Sequence, residues 1–218
     1  MLVLNIPEKN IKAEIPAAER KLQRSPDGWS GMARMGKLLR LSGDRRGLDL
    51  LREAAERWLA ASRNDTRPET LILAVSLLRL AGDDRRCTEL LQILHRKLTE
   101  SIRSSGYDDT NIAMLVEASF LLGLDEEALE TNAASAAVYP KGVPSDLRFP
   151  IVAGLAAARS AGDPAGCDPA IRWFDRAIAR ERESCSDTGD INLHDWLEIA
   201  LNVQAELSGE VSPRLRKI

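Results

Sequence analysis

The stretch "DINLHDWLEIA" holds the one compact grouping of side chains suited to acid–base or metal chemistry. His194 and Glu198 stand four apart, so on a helix they share a face, with Asp195 beside them. An imidazole and a carboxylate so placed could bind a metal ion or move a proton. Either task needs further ligands converging on that face, and the sequence around them specifies none. His95, in "LLQILHRKL", lies next to an apolar stripe and reads as a packed or solvated histidine. No H-E-x-x-H, P-loop, G-x-S-x-G or G-x-G-x-x-G pattern occurs. Cys87, Cys167 and Cys185 are odd in number and none belongs to a C-x-x-C pair. Buried reduced thiols are the simplest reading, so no metal, cofactor or catalytic residue is expected.

Composition bounds the elements that would have to position such groups. The chain of 218 residues is 44% hydrophobic, 29% charged and only 4% aromatic, ordinary values for a soluble globular protein. Alanine, leucine and arginine dominate, and these strong helix formers point to an all-α fold. Its 30 basic and 33 acidic side chains leave a net charge of −3, without the basic excess of a nucleic-acid-binding domain. The opening "MLVLNIPEKN" is too short an apolar run for a signal-peptide core. The run from Leu71 to Leu78 stops at Arg79, far short of a membrane span. A cytoplasmic protein without nucleic-acid or membrane partners is expected.

The organising feature is a repeat. Glycines recur as Gly43 in "LRLSGD", Gly82 in "LRLAGD", Gly123 in "FLLGLDEEA", Gly162 in "ARSAGD" and, more weakly, Gly209 in "AELSGE". The intervals are 39, 41, 39 and 47 residues. A glycine closing an apolar run is a helix stop, and the aspartate that usually follows can cap the next helix. Each phrase therefore reads as helix, tight turn, helix. Met32, Met35, Leu38 and Leu39 precede the first glycine on one helical face, as Leu71, Ala74, Val75 and Leu78 precede the second. Leu48, Leu51, Ala55 and Trp58, then Leu90, Leu91, Leu94 and Leu98, follow the turns. Connectors at 62–68, 104–109 and 141–146 carry loop chemistry. Trp29, Trp58, Trp173 and Trp196 read as helix-packing residues.

In these residues the chain resembles the tetratricopeptide repeat family. The best match is "LLGLDEEALETNAASAAVYP" at 121–140, with Gly123, Ala128 and Pro140 at family intervals. "AIRWFDRAIAR" at 170–180 looks like a second helix, and "PAGCDP" adds three residues to the turn before it. Gly36, seven before Gly43, stands where the family favours a small residue for close helix crossing. "AAERKLQRSPDGW" at 17–29 looks like the second helix of a truncated unit. The units exceed the family's roughly 34 residues, the excess falling in the connectors. The resemblance implies a right-handed superhelix of antiparallel helix pairs with about ten helices: one N-terminal helix, four pairs and a closing helix. It divides the chain into an N-terminal arm at 1–13, one repeat domain at 14–208 and a tail at 209–218.

The resemblance also implies a concave groove lined by first helices. Carried over position by position, Lys37, Arg40, Arg79, Glu117, Phe120 and Arg159 face it. Arg40, Arg79 and Arg159 would form an arginine ladder interrupted by Phe120, suited to a peptide with acidic residues. Alternatively these arginines lay their stems on apolar surface and pair with nearby carboxylates. The positions at which chaperone-binding members clamp a terminal carboxylate hold Ala33, Lys37, Ile72, Ser76, Ala113 and Glu117 here, of which only Lys37 would suit. Arg45, Arg46, Arg85 and Arg86 open second helices, where the helix dipole disfavours cations. They either bridge to acids in adjacent turns or form a charged docking edge.

The resulting expectation is a non-enzymatic protein-interaction module, an adaptor, scaffold or chaperone-like binder, that grips a protein or peptide segment and could self-associate through its terminal helices. The other readings are a small metal-dependent or hydrolytic enzyme built on His194, Asp195 and Glu198, and nucleic-acid binding along the arginine edge.

Overall fold

The computed structural model describes residues 8–62, 67–106, 108–138, 148–183 and 191–210. Every regular element among them is helical: α1 (Glu8–Arg24), α2 (Trp29–Leu41), α3 (Arg46–Ala61), α4 (Pro68–Leu80), α5 (Asp84–Ser105), α6 (Asp109–Leu121), α7 (Asp125–Val138), α8 (Arg148–Ala161), α9 (Asp168–Glu183) and α10 (Ile191–Leu207). The all-α class and the ten helices agree with the sequence expectation. The first helix begins at Glu8 and runs through Pro16, so it extends into the stretch expected to be an arm. The turn expected to be lengthened at "PAGCDP" holds a four-residue 3-10 element, Pro164–Cys167. The rest of the arm (1–7), most of the connectors at 62–68 and 141–146, Pro140, Cys185 and the tail beyond Glu210 lie outside the described residues.

The glycine phrases end helices as their spacing predicts. Gly43 has φ +81° and Gly82 φ +70°, a left-handed conformation that a Cβ would strain. Gly43 N–H donates to Arg40 O (3.0 Å) and Asp44 N–H to Leu39 O (2.8 Å), the paired bonds of a Schellman motif. The same two bonds close α4 at Gly82, α6 at Gly123, α8 at Gly162 and α10 at Gly209. The following aspartates then serve the next element. Asp44 Oδ1 accepts from Arg46 N (3.0 Å), Asp83 Oδ1 from Arg86 N (3.2 Å) and Asp163 Oδ1 from Ala165 N (3.0 Å).

The chain divides into two compact units, Met1–Cys87 and Thr88–Ile218, with the boundary inside α5. In the first unit α1 packs on α2, α2 on α3, and α3 on α4. Met32, Met35, Leu38 and Leu39 are buried, as are Leu51, Ala55, Leu71, Ala74, Val75 and Leu78. Each fully buried leucine contributes about 1.5–3 kcal/mol. The α2–α3 crossing is closest at two glycines. A Cβ on Gly36 would lie 2.9 Å from Gly47 O, and one on Gly47 would lie 2.5 Å from Gly36 O and 2.6 Å from Arg40 N. Gly36 thus does what its place in the repeat implies, with Gly47 as its unforeseen counterpart. At the other end of this hairpin Trp29 and Trp58 pack at 4.7 Å between ring centroids, and Trp58 Nε1 donates to Thr70 O (2.9 Å).

In the second unit each of α6 to α10 packs on its neighbour in sequence, and α8 also packs on both α6 and α10. That is an arrangement of stacked hairpins. Its core gathers Ile112, Val116, Phe120, Val152, Leu155, Phe174 and Trp196. Phe120, Phe174 and Trp196 form an aromatic cluster, with Trp196 5.9 Å from Phe120 and stacked at 6.3 Å on Phe174.

Candidate functional site

The residues assigned to a groove fall into different environments. Lys37 and Arg40, on α2, and Arg79, in the last turn of α4, are half-buried. None of these three is without a partner in the chain. Glu117 is buried on α6, with 4% of its surface exposed. Phe120 is a correction: its ring is fully buried in the second unit's core, so it cannot serve as the exposed aromatic step of a ladder. Family register gave its position along the helix but not its burial.

Arg159 joins Phe120 in a different arrangement. From the last turn of α8 its Nε and Nη2 grip Asp125 at 2.8 and 2.6 Å, while Nη2 also donates to Phe120 O at 2.6 Å. Its guanidinium carbon lies 4.1 Å from the centroid of the Phe120 ring. The cation therefore meets a carbonyl at the C-terminal end of α6 and a carboxylate at the N-terminal end of α7, both electrostatically favourable. Arg159 clamps the preceding turn, which is the carboxylate-pairing alternative among the two readings of these arginines.

The turn arginines are only partly available as a charged edge. Arg46 forks onto Asp44 within its own turn, with Nη2 2.6 Å from Oδ2 and Nε within hydrogen-bonding distance of both oxygens. The Arg46 side chain, helped by its backbone N–H, holds the Asp44 carboxyl below its ordinary range, and Asp44 in turn raises Arg46. Arg86 donates from Nη1 to Glu56 Oε1 on α3 (2.7 Å). Arg45 and Arg85 are exposed, and Arg85 is not without a partner. The pairing is thus within a turn for Arg46 and from α5 back to α3 for Arg86.

His194, Asp195 and Glu198 all lie on α10. Asp195 is buried and Glu198 half-buried, both with partners in the chain, whereas the His194 side chain is outside the described residues. Among the described residues no three or more His, Cys, Asp or Glu side chains are grouped to hold a metal ion. His95 Nε2 lies 3.0 Å from Glu127 Oε2, tying α5 to α7. Cys87 and Cys167 are buried free thiols, and burial, followed by the charges of Asp168 and Asp163, pushes the Cys167 thiol up. No helix among the described residues is long and apolar enough to cross a membrane.

One feature of the first unit has no counterpart in the sequence expectations. Between α1 and α3, above α2, lies an open cleft of about 560 Å³. Leu22, Met35, Leu39 and Leu50 line it, with Glu19 and Gln23 on the α1 side and Arg46, Asp49 and Glu53 on the α3 side. Spacings of three and four residues along α1 and α3 carry the signal, which becomes visible only once those helices are set against each other. No protein-family model, curated protein or solved structure matches the chain.

Proposed function

We propose that this chain is a non-enzymatic protein-interaction module, a scaffold or adaptor of tetratricopeptide-like hairpins that grips a partner segment. The observation that carries the reading is the same Schellman turn closing five helices, at Gly43, Gly82, Gly123, Gly162 and Gly209, together with hairpin stacking in the second unit. Repeated hairpins bury one another's apolar faces and leave long helix surfaces for a partner, which is how helical-repeat proteins recognise protein segments. A right-handed superhelix, a cytoplasmic location and self-association through terminal helices belong to this reading. Phe120 and Glu117 are buried and Arg159 is forked onto Asp125, so the groove contacts of this reading are the half-buried Lys37, Arg40 and Arg79, which would exchange their partners in the chain for the carboxylates of an acidic segment.

Affinity capture from the source cell, comparing wild type with Arg40→Glu/Arg79→Glu of matching helical content, tests the reading. Loss of a reproducible partner from the variant is the expected result. An unchanged set of captured proteins overturns the groove.

A further inference from the structure

We infer that the cleft between α1 and α3 is a docking groove for an amphipathic helix whose apolar stripe is flanked on both sides by lysine or arginine. The inference rests on the interaction-module reading only in taking a protein segment as the partner, and it uses residues other than Lys37, Arg40 and Arg79. Its floor is aliphatic: Met35 and Leu39 are buried, whereas Leu22 and Leu50 pack on the same cluster but stay only partly covered. A cleft of about 560 Å³ above them has room for several aliphatic side chains.

The walls supply the charge preference. Glu19 and Gln23 are one turn apart on α1, and Asp49 and Glu53 one turn apart on α3, so carboxylates line both sides of the apolar floor. The lone cation lining the cleft, Arg46, is outnumbered there by Glu19, Asp49 and Glu53 and is itself forked onto Asp44. Asp49 and Glu53 hold Arg52 and Arg57, but each through a single carboxylate oxygen and in exposed pairs that yield readily to another cation. The walls therefore present net negative charge at the spacing of successive helical turns. The walls and floor are helices whose backbone groups bond internally, so they offer no edge for an extended strand. A helix satisfies its own backbone and lays an i, i+3, i+4, i+7 stripe onto the floor.

Fluorescence anisotropy on the full chain tests this with two labelled synthetic peptides. Both carry leucines at i, i+3, i+4 and i+7, with lysine at the flanking positions of one and glutamate in the other. The lysine peptide should bind, and the glutamate peptide should bind at least about tenfold more weakly. Glu19→Lys/Glu53→Lys, with helical content unchanged by circular dichroism, should reverse that order, and Leu50→Asp should weaken both. Equal affinity for the two peptides, no binding of either, or an unaltered order in the double variant overturns the inference. So does a concentration-dependent dimer, seen by sedimentation, that excludes the lysine peptide, since the occupant is then a second copy. Arg40→Glu/Arg79→Glu should leave peptide binding intact, so failure at the cleft and failure at the groove are separable.

Discussion

The same substitution, glycine to alanine, should have opposite effects at Gly47 and Gly154. At Gly47 the new Cβ meets Gly36 O at 2.5 Å and Arg40 N at 2.6 Å, both backbone atoms, with Leu39 Cβ at 3.1 Å. Ordinary van der Waals contact begins at 3.4 Å, so α2 and α3 must separate locally by roughly 1 Å. Overpacking costs about 1–3 kcal/mol, and backbone against backbone belongs at the upper end because no side chain can rotate away. Alanine's helix preference, at most about 0.8–1.0 kcal/mol and less in a first turn, offsets part of it. A net loss of about 2 kcal/mol follows. At Gly154, exposed on α8, a Cβ meets nothing within 4 Å. Only the conformational term remains there, a gain of about 0.5–1 kcal/mol. Urea unfolding, followed by circular dichroism and by tryptophan emission, measures both. Trp29 and Trp58 report on the first unit, and Trp173 and Trp196 on the second. A Gly47→Ala protein as stable as wild type would refute the crossing geometry, as would equal losses at both sites.

Two further outcomes follow from the ion pairs. Arg159→Ala removes the fork to Asp125 and the bond to Phe120 O, and should destabilise the second unit by about 1.5–3 kcal/mol in the same unfolding assay; Arg159→Lys should recover little, since an ammonium cannot fork. The Asp44 carboxyl should titrate below the ordinary aspartate value in an NMR pH series and return towards it in Arg46→Ala, because the Arg46 side chain is the main cause of the shift. A carboxyl lowered on folding adds stability above its unfolded pKa and loses it as pH falls through the folded one. The Asp44–Arg46 tie should therefore weaken only on acidification below the usual carboxylate range.

The legible parts of this fold were the local ones. Gly43, Gly82, Gly123, Gly162 and Gly209 announced their turns because a left-handed helix stop needs a particular residue, and that requirement is met within a few positions of chain. Asp44, Asp83 and Asp163 were readable as caps for the same reason. Phe120 and Arg159 were harder. Repeat register gives where a residue sits along a helix, while burial against Phe174 and Trp196 depends on three helices meeting. Asp125, 34 positions from Arg159, could not be singled out as its partner from either segment alone. The cleft is not legible in the sequence because its walls come from two helices, α1 and α3, whose facing depends on how both pack against α2. The boundary between the two compact units carries no sequence signal because it falls inside one continuous helix, α5, where composition gives no linker.

The glycine contact between α2 and α3 reaches beyond that hairpin. Sliding one helix along the other by a single position would bring a side chain to where Gly36 or Gly47 now admits only backbone, so the hairpin has one register and little freedom to breathe. Met35 and Leu39 of the cleft floor lie on the first of these helices, and Leu50 and Glu53 on the second. Floor and one wall are thereby held in fixed relation before any partner arrives. Ordering entropy on association then falls on the incoming segment and on α1, whose wall has no such lock. A mutation that loosens the glycine crossing should consequently slow or weaken capture at a cleft whose lining residues are all intact.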